Sequence, residues 1–139
     1  MPRVIPPSVE PDDEYFWNGV AEHRLLLQEC ADCRTLRHPP LPMCGHCHST
    51  EWTTRESAGA GTVHSWVRSV HPGAPTEEGR IVVLVELDEG VRFVGNLVDT
   101  PVAAVANEMP VRLTWRDYDG VTLPQFVPAG AGDGEGVEA

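Results

Sequence analysis

Four cysteines in two pairs, Cys30-Ala-Asp-Cys33 and Cys44-Gly-His-Cys47, are the residues of this chain whose type and spacing carry chemistry most directly. A Cys-x-x-Cys turn presents two sulfurs on one side of a tight knuckle. Two facing knuckles offer four thiolates in the tetrahedral arrangement that zinc prefers, with Zn–S at about 2.3 Å. Four protein ligands fill that coordination sphere and leave no open position for water or substrate, so the expected role of the ion is structural. Iron in the same ligand set is the next candidate. Redox-active pairs or surface thiols are the competing reading, but a thioredoxin-type pair belongs at a strand-to-helix junction in a βαβ context, which this pattern lacks. His46 and His48 flank Cys47 and offer substitute nitrogen ligands; with four sulfurs already at the right spacing, they are expected to be exposed.

Other reactive groups do not assemble into a motif. His23, His38, His64 and His71 are scattered, with no nucleophile–base pairing visible, and Ser57, Ser65 and Ser69 lack a nucleophile-elbow pattern. Asp117, Asp119, Glu86, Asp88 and Glu89 read as solvated strand ends and turns. Gly59-Ala-Gly61 is too short for a phosphate loop and reads as backbone geometry. The densest aromatic cluster, Tyr15-Phe16-Trp17, cannot place all three rings on one side of a helix. One or two are expected against the protein's own body and the rest against a partner.

The elements that must position these residues follow from patterning. Residues 1–11 hold four prolines and read as an extended arm, and residues 12–22 open on three acidic residues and read as a short helix. Leu25, Leu26 and Leu27 suggest a strand entering the first knuckle. Pro39, Pro40 and Pro42 exclude helix and long strand between the knuckles. β-like runs follow at 51–57, 62–70, 81–87, 91–97, 111–118 and 123–127, with hairpin turns at Asp88-Glu89-Gly90 and Asp119-Gly120. Gly59 and Gly61 mark a bulge or bend, and alanine-rich residues 101–108 suggest a short helix. The expected fold is mostly β: N-terminal helix and ribbon over 12–50, a five-stranded OB-type barrel over 51–128, and a disordered acidic tail over 129–139.

At 139 residues the chain has the size of one domain with a ribbon-sized appendage. Its net charge of -11 opposes nucleic-acid binding, which draws on phosphate neutralisation. All ten basic residues are arginine, so lysine Schiff-base and P-loop chemistry are excluded. The longest apolar run, 81–85, is far too short to cross a membrane, and the first twenty residues do not resemble a signal peptide. A cytoplasmic protein is expected, which favours a metal over disulfides.

One family unites these features. A Phe16-Trp17 helix, a leucine strand, the two Cys-x-x-Cys pairs around a proline-rich loop, Gly59-x-Gly61-Thr-Val, Glu86-Leu-Asp-Glu-Gly90 and a closing Leu-Pro-x-Phe-x-Pro from Leu123 stand in this order. The chain thereby resembles, over residues 12–128, a family with a rubredoxin-like zinc ribbon followed by an OB-fold, long filed as a domain of unknown function and described as acyl-CoA-associated. His48 departs from a frequent glycine after the second pair, and Asn107-Glu108-Met109 from a glycine-containing turn.

The resemblance implies structural zinc and a non-catalytic subunit of a hetero-oligomer, docked on a thiolase-like enzyme whose acyl-CoA site it helps to shape, with acyl-CoA at the interface. The favoured partner is the lipid-transfer-protein-like aldolase of steroid side-chain breakdown, which cleaves a steroid acyl-CoA to propionyl-CoA and a ketosteroid by retro-aldol chemistry. Acetoacetyl-CoA thiolase and hydroxymethylglutaryl-CoA synthase are the alternatives within that class, and in the steroid pathway the OB unit can be fused to a hot-dog hydratase domain. The expected docking surface is the ribbon and aromatic helix, Tyr15, Phe16 and Trp17. Arg68, Arg92 and Arg112 are candidates for a CoA phosphate, none singled out. Readings from other classes are an independent acyl-CoA lyase or thioesterase and a single-strand nucleic-acid-binding OB module, the latter opposed by the charge.

Overall fold

A computed structural model describes residues 4–70 and 79–131 of the chain. Residues 4–10 carry no regular secondary structure. Helix α1 (Glu14–Ala21) follows Asp13, with Glu14 placing negative charge in its first turn. It is shorter than residues 12–22 because the chain turns back at once: the backbone N–H groups of Glu22 and Arg24 both donate to Gly19 O, and His23 adopts φ 60. Gly19 permits this approach, since a Cβ there would lie 2.8 Å from Arg24 O and 2.9 Å from the Leu26 side chain.

The turn delivers the leucines into β1 (Leu26–Cys30), buried along its whole length. β1 is the centre of a small antiparallel sheet, between β2 (Leu36–Arg37) and β3 (Trp52–Glu56). Glu29 of β1 is 5% exposed and ion-paired to Arg55 of β3, with Arg34 4.0 Å away. A carboxylate so placed depends on its cationic partners. The 51–57 run was expected within the barrel unit; its hydrogen bonds instead join β3 to β1, with Trp52 opposite Cys30.

Residues 57–59 carry the chain from this sheet into the barrel. Gly59 has φ +80, and a Cβ there would lie 2.7 Å from Leu113 Cβ. The Ser57 hydroxyl and the Ala58 N–H donate to the two carboxylate oxygens of Glu89, each at 2.8 Å, and Gly59 N–H donates to Ser57 Oγ at 2.9 Å. Leu113 N–H closes the junction on Gly59 O at 2.7 Å. Glu89 therefore clamps the junction from the Asp88-Glu89-Gly90 turn, where patterning alone suggested a solvated carboxylate.

Five strands then close a barrel in the order β4 (Ala60–Ser69), β5 (Arg80–Leu87), β6 (Arg92–Leu97), β8 (Val121–Pro128), β7 (Pro110–Tyr118), back to β4. Its interior follows the period-two pattern, with Ile81, Val83, Val85 and Leu87 buried on β5. Gly90 (φ 96) and the pair Asp119 (φ 58) and Gly120 (φ 87) make the hairpin turns. β4 bulges between Val63 and Ser65. The helix expected at 101–108 is only the 3-10 turn Val102–Ala104, because Val105 has already returned to extended backbone. Glu108 takes φ 71, which explains why a glycine suits that turn. Of the tail expected at 129–139, residues 129–131 are tied down instead, Ala129 N–H donating to Pro110 O at 3.0 Å and Ala131 N–H to Pro128 O at 2.9 Å, while residues 132–139 and His71 lie outside the described residues.

The weakest seam is β6 with β8, which pair in parallel through Leu97 and Phe126. Phe16 of α1 and His38 of the inter-knuckle loop cover Phe93 at this seam, with ring centroids 6.0 and 4.6 Å from it, and Phe93 meets Phe126 edge-on at 6.0 Å. Phe16, Val20, Leu25 and Leu27 thus share one apolar cluster with the barrel interior.

Replacing the clamp, Glu89→Ala, leaves the buried Ser57 hydroxyl and the Ala58 N–H without their acceptor. The expected loss is about 1–3 kcal/mol, read as a lower Tm together with faster amide exchange at Ala58 and Gly59. An unchanged melt with unchanged exchange would show that the clamp is not structural.

Candidate metal centre and its aromatic neighbourhood

The four cysteines converge at the outer end of the small sheet. Cys30 closes β1, Cys33 lies in the turn after it, and Cys44 and Cys47 form the second knuckle; all four sulfurs lie within 4.8 Å of one another. Cys30 Sγ is 3.6 Å from Cys47 Sγ, and Cys33 Sγ is 3.6 Å from Cys44 Sγ. A disulfide needs about 2.05 Å, whereas a tetrahedron with Zn–S of about 2.3 Å has S···S edges of about 3.8 Å. The donor set and its dimensions fit zinc.

The two knuckles repeat one backbone device. Cys30 N–H donates to Thr35 O at 2.9 Å and Arg34 N–H to Cys30 O at 3.0 Å; Cys44 N–H donates to Ser49 O at 2.9 Å and His48 N–H to Cys44 O at 3.0 Å. Arg34 (φ 67) and His48 (φ 66) both take the left-handed conformation directly after the second cysteine of each pair. That conformation is why glycine is at home where this chain has His48. Inside each knuckle, backbone N–H groups aim at sulfur: Cys33 N at Cys30 Sγ (3.5 Å), and His46 N and Cys47 N at Cys44 Sγ (3.3 and 3.4 Å). These N–H groups, led by Cys33 N–H for Cys30 and Cys47 N–H for Cys44, hold both thiols below the ordinary thiol value. The Thr35 side chain, followed by its backbone, brings Cys33 down to about 7, with a smaller contribution from His46. Cys30 and Cys44 are buried, while His46 and His48 are exposed.

Between the knuckles, Arg37 braces the loop. Its Nε donates to Gln28 Oε1 at 2.6 Å and its NH2 to Leu41 O at 3.1 Å, while Leu41 N–H donates to the same Gln28 oxygen at 2.9 Å. His38 is thereby set against Phe93 and Phe16, and burial pushes its imidazole pKa down to about 4. No motif advertised Gln28, Arg37 or His38; their roles arise from contacts between distant segments.

The aromatic triad divides. Phe16 is 7% exposed and belongs to the core, which corrects its expected place on a partner surface. Trp17 meets Phe16 edge-on at 4.9 Å, and Tyr15 packs on Trp52 at 5.0 Å. Both are half-buried, and burial raises the Tyr15 phenol to about 12 against the opposing pull of Arg37. The candidate phosphate contacts do not converge: Arg68 lies opposite Ile81 and Arg92 opposite Glu86, toward opposite ends of β5, while Arg112 on β7 donates to Ala131 O at 3.0 Å.

Two measurements test this arrangement. Cys44→Ser is expected to lose bound zinc and to lower the melting temperature, because metal affinity in such sites is folding free energy; elemental analysis showing stoichiometric zinc and a wild-type melt would refute the assignment. His38, neutral when folded and with an ordinary value of 6.5 when unfolded, contributes stability that is complete above about 6.5 and declines as pH falls toward about 4. With zinc content followed in parallel, His38→Phe is expected to flatten that part of the acid limb, and an identical limb in the variant would rule the contribution out.

Comparison with known proteins agrees with this architecture. Residues 17–53 match the ChsH2 rubredoxin-like zinc ribbon domain and residues 54–116 the ChsH2 C-terminal OB-fold domain. A solved Ltp2-ChsH2(DUF35) aldolase contains a chain 43% identical, with TM-score 0.82 over 88% of this chain and 98% of that one. A probable enoyl-CoA hydratase alpha subunit of Thermomonospora curvata is 44% identical over 88% of this chain and 39% of its own length. The 3-oxo-4,17-pregnadiene-20-carboxyl-CoA hydratase alpha subunit of Mycobacterium tuberculosis is 42% identical over 90% of this chain and 40% of its own length. The chain thus spans about two fifths of the length of these curated relatives. A DUF35-family protein of unknown function from Sulfolobus solfataricus, 17% identical with TM-score 0.58 over 74% of this chain and 77% of that one, shares the fold. With its ribbon and barrel matched in order and a near full-length chain of known structure 43% identical to it, this chain belongs to the ChsH2-type DUF35 family, a rubredoxin-like zinc ribbon joined to an OB-fold.

Proposed function

We propose that this chain is the accessory subunit of an acyl-CoA enzyme complex of steroid degradation, with zinc held by Cys30, Cys33, Cys44 and Cys47 as a structural ion. The observation that carries the reading is the similarity, over 98% of its length, to the chain of an Ltp2-ChsH2(DUF35) aldolase. The chemistry of the centre supports it: four sulfurs at tetrahedral spacing leave no coordination position for substrate. The favoured partner is a lipid-transfer-protein-like subunit that performs retro-aldol cleavage of a steroid side-chain acyl-CoA and releases propionyl-CoA, with acyl-CoA bound at the interface. A DUF35 domain-containing scaffold protein of Methanocaldococcus jannaschii, 28% identical over 72% of this chain and 74% of its own length, supports an assembly role.

A second reading follows from the hydratase alpha subunits, of which this chain spans two fifths: the ribbon and barrel serve as the acyl-CoA-associated part of a longer hydratase chain. Co-expression with the Ltp2-type subunit, followed by size-exclusion chromatography and zinc analysis, tests the first reading. Co-elution in one zinc-containing peak, with steroid acyl-CoA cleavage by that peak and not by this chain alone, is expected. Separate elution, or turnover by the isolated chain, would overturn it.

A further inference from the structure

The four sulfurs of the metal centre are unequally protected. Cys30 and Cys44 are buried and Cys33 is partly covered, whereas Cys47 is exposed. A cysteine that serves as a metal ligand is a thiolate, and an accessible thiolate is the form that peroxides oxidise. The two sulfur–sulfur approaches of 3.6 Å both run from one knuckle to the other: Cys47 faces buried Cys30, and Cys33 faces buried Cys44. Each more accessible sulfur thus has a protected sulfur of the opposite knuckle beside it, about 1.5 Å beyond disulfide bonding distance. Residues 34–43 lie between the inner pair and carry His38 onto Phe93.

We propose that the ribbon is a reversible thiol–disulfide switch: a peroxide exchanges the metal ion for two nested cross-knuckle disulfides, Cys30–Cys47 around Cys33–Cys44, while the loop bearing His38 stays closed. The Cys47 thiolate attacks one peroxide oxygen; the O–O bond breaks, hydroxide leaves and takes up a proton as water, and Cys47 becomes a sulfenic acid. The Cys30 thiolate then attacks the Cys47 sulfur, forming the S–S bond and expelling the sulfenic oxygen as hydroxide, which a second proton converts to water. The two thiolates together lose the two electrons that the peroxide gains. Cys33 and Cys44 remain as an incomplete ligand set, and a second peroxide joins them by the same steps. The pairing decides the consequence. Bonds inside the knuckles, Cys30–Cys33 and Cys44–Cys47, would leave the two knuckles unconnected and let the loop open. Cross-knuckle bonds put covalent links between the segments that the ion joined, and such links limit the conformational freedom the loop gains on opening. The oxidised chain therefore keeps the aromatic cover over Phe93 without metal.

The zinc-loaded chain is titrated with hydrogen peroxide while a chelating dye reports released zinc, and the products are mapped as peptides without reduction. The expected result is release of the zinc, formation of Cys30–Cys47 and Cys33–Cys44, and recovery of zinc binding after treatment with a thiol reductant and fresh zinc. Nuclear Overhauser contacts between His38 and Phe93 are expected to persist in the oxidised chain and to weaken when a chelator strips zinc from the reduced chain. Cys47→His keeps a zinc ligand and removes the exposed sulfur; it is expected to release zinc at least about tenfold more slowly under peroxide. Should this variant fail to load zinc, the wild-type peptide map alone decides. Zinc retained at peroxide levels that already convert the exposed Met43 to its sulfoxide overturns the proposal. Disulfides within a knuckle or between chains, irreversible sulfinic acid at Cys47, or loss of the His38–Phe93 contact on oxidation overturn it equally.

Discussion

The stacking of the His38 imidazole on Phe93, 4.6 Å between ring centroids, is the contact on which the two halves of the molecule depend. β6 and β8 meet through one residue pair, so the barrel is not sealed there by hydrogen bonds alone. Phe16 from α1 and His38 from the inter-knuckle loop cover the seam, and Phe93 passes the packing to Phe126. A neutral imidazole suits this place, because a charged one would be taken out of water without a counter-ion.

That contact is in turn positioned by the metal centre. The loop bearing His38 is bounded by Cys33 and Cys44, whose sulfurs lie 3.6 Å apart, and it is braced internally by Arg37 and Gln28. The knuckles therefore act at a distance from their own chemistry: by closing the loop they hold an aromatic lid on the barrel. At the other junction Glu89 clamps residues 57 and 58 to the β5–β6 turn. Two independent ties between ribbon and barrel make a preorganised body, which loses little conformational freedom when it meets a partner.

Such a body suits assembly. Its buried polar groups, among them Glu29 with Arg55 and Gln28 with Arg37, connect strands and loops of the small sheet. Among the described residues the four cysteines form the one cluster of potential metal ligands, and their spacing fits a four-coordinate ion.

Local spacing is enough to specify the Cys-x-x-Cys knuckles, the strands of period-two hydrophobicity such as β5, and the glycine-bearing hairpin turns. Each depends on residues a few positions apart, where backbone geometry alone links type to structure. Features that join residues far apart in the chain emerge from packing and strand register. Hydrogen bonding assigned β3 to the small sheet, because its register is set by Leu26 to Cys30 rather than by the following strand. Packing drew Phe16 inward, gave Glu89 two donors and carried His38 onto Phe93. It also set Val67, Val82, Leu84 and Val94 side by side, since cross-strand register exists only once the barrel has closed.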